Sequence, residues 1–425
     1  VVVIISIKVG VIGLGYVGLP LALEISSFFP TIGFDIDEKR VNELISGIDK
    51  TLEINREELM SNSLITFTSN SDLLKDCNYY IVTVPTPIFD NNKPNLELLL
   101  AATRLIGILL KSQDIVIYES TVYPGTTEEI CVPILEAYSG LKLNETFFVG
   151  YSPERVNPGD KSRRVTNIIK VVSGSHHIAA SKIQNFYNTF IEAGTFLAKN
   201  IKTAEAAKII ENTQRDLNIA LINELSIIFN KMNIDTNDVL TAASTKWNFH
   251  QYQPGLVGGH CIGVDPYYLT FKAQELGYEP KVILAGREIN DGMPKYVAER
   301  LSNNISQLHT GKTQLRVLLL GLTFKENCPD IRNSGPLKLA KFLSEENFMK
   351  LTISDPWLDS KADFQLLNSN FIEYENLNFF DYEAIIVAQA HSKFCEIEWK
   401  QVKEKGIYTF DLKNIIPRNY VTERL

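Results

Sequence analysis

Apolar and polar residues follow one another through the first half of the chain in two rhythms. Short runs rich in valine, isoleucine, tyrosine and phenylalanine (KVGVIG, TIGFDI, LITFTS, YYIVTVP, DIVIYES and TFFVGYSPE) have the length and β-branched or aromatic content of buried strands. Between them lie stretches with helical spacing, for example 19–29 and 96–111. Strands taking turns with helices predict βαβ units and a parallel sheet, here over residues 1–200. The opening residues VVVIISIKVGVI read as a buried first strand. No basic region precedes them and no small-residue cleavage site follows, and a run broken by Lys8 is too short to cross a bilayer.

From Ile201 to Met232 the rhythm is helical, with Ile210, Leu217, Leu221, Leu225 and Ile228 at spacings of three, four or seven and no glycine or proline. A helix this long is expected to connect two domains and to bury one apolar face against both. The helical region runs on to residue 300. Residues 301–425 return to strands and helices: QLRVLLLGL is a strand that ends at Gly321, and LTISDP, AIIVAQA and IYTFDL are further strands. The expected class is α/β, with two parallel-sheet domains joined by a long central helix and a helical middle domain, 201–300.

Composition narrows the function. A chain of 425 residues, 45% hydrophobic and 22% charged, is ordinary for a globular protein of two or three domains. Its net charge of −8 argues against a nucleic-acid partner, so a phosphorylated ligand has to be held by local donors. The five cysteines are odd in number and form no CxxC, which excludes a disulfide framework and fits a reducing compartment. The six histidines show no metal-ligand spacing, and no metal is expected.

Four features carry chemistry. The strand KVGVIG runs into Gly13-Leu-Gly15-Tyr16-Val17-Gly18 ahead of a helix, the GxGxxG pattern of a Rossmann dinucleotide site. The next strand ends at Asp35, whose carboxylate suits the ribose hydroxyls of NAD and repels the 2′-phosphate of NADP. The most unusual stretch is Pro254-Gly-Leu-Val-Gly258-Gly-His260-Cys261-Ile-Gly-Val-Asp265-Pro266, where glycines and prolines hold one cysteine in an irregular loop. A thiolate there is a candidate nucleophile, whereas Cys77, Cys131, Cys328 and Cys395 read as small apolar residues. On the long helix, Lys208 and Asn212 are four residues apart on one face, where an ammonium and an amide can steady an oxyanion. Thr121 (STVYPGT) and Glu154 (SPER) follow strands, at the carboxyl edge where open parallel sheets bind ligands.

Taken together, GLGYVGLPLA, Asp35, STVYPGTT, SPER, AEAAKIIENTQRDLNIALINE, GGHCIGVDP and GLTFKENCPDIRNS resemble the UDP-glucose/GDP-mannose dehydrogenase family over nearly the whole chain. The resemblance implies a four-electron oxidation of the C6 alcohol of a UDP-linked sugar to a carboxylate, consuming two NAD. It implies Cys261 as the nucleophile that forms a thiohemiacetal and then a thioester. Lys208 and Asn212 would steady the oxyanion, Asp265 would orient the water or lysine network, Glu154 would be the base for thioester hydrolysis, and Thr121 would position a water. Cofactor contacts would come from Gly13, Gly15, Tyr16, Val17, Gly18, Asp35, Arg40, Thr86, Ser120, Thr121 and Arg332. Substrate contacts would come from Glu154, Arg155, Lys208, Asn212, Gly258 and Lys325. UDP-glucose enzymes tend to carry a second glutamate four residues after the first, and here that position is Pro158. Together with LVGGHCIGVDPYYLT this resembles the branch acting on UDP-N-acetylglucosamine or UDP-N-acetylgalactosamine, with UDP-N-acetylmannosamine and UDP-glucose as alternatives. The apolar face of the central helix, through which the resembled family pairs, predicts a homodimer; the lack of an export signal and the cytosolic cofactor predict a cytoplasmic protein not bound to membrane, and the resemblance implies a role in polysaccharide synthesis. A one-step NAD-dependent hydroxyacid dehydrogenase would have no use for Cys261 and would yield one NADH per substrate. A silent nucleotide-binding protein on the same fold would have lost the reactive set, which is present.

Overall fold

Val9–Ile12 (β1) is buried at all four positions, as a strand covered on both faces must be. The computed structural model describes residues 6–156, 163–308, 314–358 and 369–425, so Pro158 lies outside the described residues. Around β1 the sheet is built from Thr31–Phe34 (β2), Ile65–Thr68 (β3), Tyr79–Val82 (β4), Ile115–Tyr118 (β5), Phe148–Tyr151 (β6), Lys170–Gly174 (β7) and Thr195–Leu197 (β8). Their order is β3-β2-β1-β4-β5-β6-β7-β8. Neighbours pair parallel except β6 and β7, which are antiparallel. The chain reverses its direction of travel across the sheet between β1 and β4, which opens the crevice where doubly wound sheets bind ligands. All six strands expected from the apolar runs are present. β7 and β8 were not anticipated: Lys170 opens β7, and β8 is a three-residue edge strand with Phe196 exposed.

The described residues divide into two compact units, Val1–Glu211 with Tyr267–Tyr278, and Asn212–Pro266 with Glu279–Leu425. The second contains a six-stranded parallel sheet of Leu315–Leu320 (β9), Met349–Ser354 (β10), Asn370–Phe371 (β11), Ala384–Val387 (β12), Tyr408–Asp411 (β13) and Glu423–Arg424 (β14), ordered β11-β10-β9-β12-β13-β14. Each sheet has its own apolar core on both faces.

The central helix is continuous over Ile201–Lys231. Its buried face corrects the expectation from periodicity. Ile210, Leu221 and Ile228 are exposed, and the buried set mixes Ala204, Ile209, Ala220 and Ile222 with Glu205, Lys208, Asn212, Thr213, Asp216, Asn223 and Ser226. Partners make such burial tolerable. Asp216 Oδ1 is 2.6 Å from Arg287 Nη1 and accepts from Asn290 Nδ2 at 2.8 Å, both on the helix Lys281–Ser306, and Asn223 Nδ2 donates to Asn290 Oδ1 at 2.8 Å.

Candidate active site

The glycine turn after β1 explains its own sequence. Gly13 has φ +97°, a conformation that costs an L side chain. A Cβ on Gly18 would sit 1.8 Å from Gly13 O, while one on Gly15 would meet nothing within 4 Å. Gly18 thus lets the helix Gly18–Ser26 close onto the turn, and Gly15 leaves the backbone approachable. Val17, the N-cap of that helix, makes no side-chain capping bond, so no side chain competes with an anion for the helix N-terminus. Tyr16 and Val17 are half-buried in the turn.

Asp35, just past β2, accepts Leu14 N at 2.8 Å on Oδ2 and Asp37 N at 3.0 Å on Oδ1, which aims its carboxylate at the rim of the turn. Arg40 braces the same turn, with Nε donating to Leu14 O at 3.0 Å and Nη2 2.8 Å from Asp49 Oδ1. An approachable backbone, an uncapped helix start and a strand-end carboxylate together fit a dinucleotide.

The loops after β4 and β5 are stitched beside this turn. Thr83 Oγ1 donates to Gly13 O at 2.7 Å, Thr86 Oγ1 to Thr121 O at 2.7 Å, Ser120 Oγ to Val84 O at 2.7 Å and Tyr268 Oη to Thr86 O at 2.8 Å. The Thr121 loop is also pinned from the central helix: Glu205 accepts Gly125 N at 2.6 Å and Thr127 N at 2.9 Å. Burial pushes the Glu205 carboxyl up to about 7 against the pull of those two donors.

Glu154 stands past β6, nearly buried. Its Oε1 accepts Arg155 N at 2.7 Å and also Val156 N. Its Oε2 is 3.8 Å from Lys170 Nζ, which in turn is 2.5 Å from Glu119 Oε2, and Tyr187 Oη donates to the other Glu119 oxygen. Burial raises the Glu119 carboxyl, Lys170 beside it works the other way, and Glu154 adds to the rise. Arg155 turns aside to Glu211, 2.9 Å away.

In the second unit, Cys261 is half-buried in a turn whose carbonyl accepts Val264 N at 3.1 Å and Asp265 N at 2.8 Å. That turn leads into the helix Asp265–Glu275. Asn212 Nδ2 donates to Asp265 Oδ2 at 2.6 Å, and both side chains are buried. The two glycines before His260 are required by close approach. A Cβ on Gly258 would lie 2.7 Å from Asn333 O, and Gly259, at φ +82°, exchanges two hydrogen bonds with Asn333. His260 Nδ1 is 3.9 Å from Asp330 Oδ2 and its ring meets Phe324 edge-on. Burial, then the nearby Arg332, lower its proton affinity, with Asp330 opposing, and this favours a neutral imidazole. Arg332 makes a bidentate pair with Asp330, Nη2 to Oδ2 at 2.7 Å, and Lys325 is half-buried in the loop after β9.

The β9 loop repeats the β1 turn with one change. Gly321 has φ +90°, and Leu322 N and Thr323 N donate to Asp355 Oδ2 at 2.7 and 3.1 Å, as Leu14 N does to Asp35. Here His391 closes the carboxylate off. Its Nε2 is 3.1 Å from both Asp355 Oδ2 and Thr323 Oγ1, its Nδ1 accepts Asn327 N at 2.9 Å, and Asp355 is buried.

The glycine turn, Asp35, Arg40, Thr86, Ser120, Thr121, Glu154, Arg155 and Lys208 therefore belong to the first unit, and Asn212, Gly258, Cys261, Asp265, Lys325 and Arg332 to the second. Glu119, Lys170, Tyr187 and Glu205 escaped the sequence reading. A glutamate and a lysine at the ends of fully apolar strand runs were the available signal. Among the described residues no group of three or more His, Cys, Asp or Glu is arranged to hold a metal ion, and no helix is long and apolar enough to cross a membrane.

Comparison with known proteins matches three family models: the UDP-glucose/GDP-mannose dehydrogenase NAD binding domain at residues 7–191, the central domain at 202–292 and the UDP binding domain at 318–418. The chain is 51% identical over 423 residues to a UDP-N-acetyl-D-glucosamine 6-dehydrogenase of Pseudomonas aeruginosa, covering 99% of this chain and 100% of that one. It is 50% identical over 424 residues to the enzyme of the same name from Salmonella typhi, covering 99% of each. The structure of a UDP-D-ManNAc dehydrogenase from Pyrococcus horikoshii superposes with a TM-score of 0.87 at 28% identity, covering 98% of both chains.

Proposed function

The chain belongs to the UDP-glucose/GDP-mannose dehydrogenase family, and from that premise we propose that it oxidises the C6 hydroxyl of a UDP-N-acetylhexosamine, the gluco or galacto epimer, to the uronic acid through a covalent intermediate on Cys261. It is an NAD-dependent UDP-sugar dehydrogenase. The N-acetylglucosamine enzymes at half identity over the full length support the acetamido sugar. When bound, NAD supplies the hydride acceptor, with Gly13, Gly15, Gly18 and Asp35 as its holders.

The observation that carries the mechanism is the Asn212–Asp265 bond, which ties the polar face of the central helix to the residue that ends the Cys261 turn. An aldehyde carbon gives up no hydride until a nucleophile adds to it, and a thiolate at position 261 is that nucleophile. Sγ bonds to the aldehyde carbon, and the oxyanion so formed takes hydrogen bonds from the Lys208 ammonium and the Asn212 amide. Loss of the second hydride leaves a thioester. Water, positioned by Thr121 and deprotonated by Glu154, attacks the thioester carbon, and the C–S bond breaks to return the thiolate.

We assign residues 1–200 to cofactor binding, 201–300 to dimerisation, and 301–425, through Lys325 and with Arg332 at its cofactor side, to the UDP moiety. A cytoplasmic location follows from the cytosolic cofactor, and a UDP-linked uronic acid suits surface polysaccharide synthesis.

The test is stoichiometry. With NAD and, separately, UDP-N-acetylglucosamine, UDP-N-acetylgalactosamine, UDP-N-acetylmannosamine and UDP-glucose, one acetamido sugar of the first two is expected to give about two NADH per molecule. Cys261→Ala is expected to lose sustained turnover. One NADH per sugar, or an unimpaired variant, would reduce the chain to a one-step dehydrogenase.

A further inference from the structure

One buried cation serves two carboxylates in the first unit. Lys170, Glu119 and Glu154 have side chains 3%, 0% and 9% exposed. Glu119 holds the ammonium at 2.5 Å, with its other oxygen occupied by the Tyr187 hydroxyl, and the same ammonium stands 5.5 Å from the centre of the Tyr187 ring. Glu154 Oε1 is taken by the two backbone N–H groups of its own loop, so Oε2 is the oxygen that faces Lys170, at 3.8 Å. The nearby Arg155 guanidinium is engaged by Glu211.

As a stability device this cluster is poor. Desolvating a lysine and two carboxylates costs more than an apolar trio of the same volume, and one positive charge leaves the second carboxylate uncompensated. Lys170 needs a reason beyond packing, and the group it reaches past Glu119 is the proposed base.

We propose that Lys170 is a positioning residue for thioester hydrolysis: clamped by Glu119 and Tyr187, its ammonium fixes the working oxygen of Glu154. This rests on the reading of Glu154 as the base. In the step concerned, a water proton passes to Glu154 Oε2 as the water oxygen bonds to the thioester carbon. The C–S bond then breaks and the proton leaves Glu154 for solvent.

An opposite charge this close favours the ionised carboxylate, and a like charge disfavours it. Two substitutions in the full-length enzyme must therefore act in opposite directions. In Lys170→Met, the acid limb of the steady-state rate is expected to move up by about one pH unit, while the rate of the first NADH formed is unchanged and acyl-enzyme accumulates in the intact-protein mass. In Glu119→Gln, which can still accept from Lys170 and removes the competing charge, the limb is expected to move down. Lys170→Arg should restore most of the wild-type profile. Should Lys170→Met not fold, the downward shift in Glu119→Gln decides alone. Shifts in the same direction, or an unmoved limb in both, would leave Lys170 a purely structural ion pair and overturn the proposal. Failure of the parent reading is distinguishable: Glu154→Gln hydrolysing its acyl-enzyme at the wild-type rate removes the base itself, whereas Glu154→Gln stalled at the thioester beside an unmoved limb in Lys170→Met removes only the role of Lys170.

Discussion

Glu205 is a carboxylate buried from water, bonded through both oxygens to backbone N–H groups of the loop that carries Thr121. Burial pushes this carboxyl up to about 7, above the ordinary 4.5 of a glutamate, so the folded protein binds this proton more tightly than the unfolded chain does. The contribution is fully present below the unfolded value and is lost as pH rises through the folded one, about 3 kcal/mol across that window. The melting temperature of the wild type relative to Glu205→Gln is therefore expected to fall as pH rises from about 4.5 to about 8; parallel melting curves at every pH would contradict this. At this scale the sequence was legible where a residue is improbable in its setting, as with three glycines around a turn or one cysteine among glycines. Glu119 and Lys170, charges at the ends of apolar runs, gave a signal but not what each meets, and Glu205 reads as one more charge on a helix. Their partners lie 51 and about 80 positions away, beyond the reach of any local pattern.

Elements respond to single atoms when they touch at backbone. Adding a methyl at Gly18 drives it into Gly13 O, so Gly18→Ala should open the strand–helix turn, costing about 1–3 kcal/mol in thermal stability and weakening NADH binding at least tenfold by fluorescence titration. Gly15→Ala, with open space at its Cβ, should keep the stability and lose affinity only; equal melting temperatures for both variants would refute the assignment of the two glycines. Strands with unbroken apolar runs declared themselves because both faces are buried. The central helix misled because its interior side is largely polar. Glu205, Lys208, Asn212, Asp216 and Asn223 are buried, while Ile210, Leu221, Ile228 and Met232 lie outward. A periodicity argument assumes that apolar means inside, and a helix that buries charges and amides inverts the rule.

For the molecule as a whole, that outward apolar row is what the proposed homodimer would cover. Sedimentation at micromolar concentration is expected to give twice the chain mass, and Leu221→Glu with Ile228→Glu is expected to give the single-chain mass; a wild-type monomer would contradict the assignment. Two parallel sheets and a long helix between them in the sequence were readable from the alternation of runs, but the kinship of the two sheets' turns was not. GLGYVG and GLTFKE differ at every glycine after the first, and only the shared backbone bonding to Asp35 and Asp355 shows it. The sealing of Asp355 by His391 has a consequence in time. Of the two strand-end aspartates that bond such a turn among the described residues, only Asp35 is left open, beside the GxGxxG, so a single proposed seat for a dinucleotide would serve an oxidation that withdraws two hydrides. Spent coenzyme must depart and a fresh molecule arrive while the half-oxidised sugar waits. The lifetime of that waiting species, more than the speed of either withdrawal, then governs how much aldehyde escapes before the acid is made.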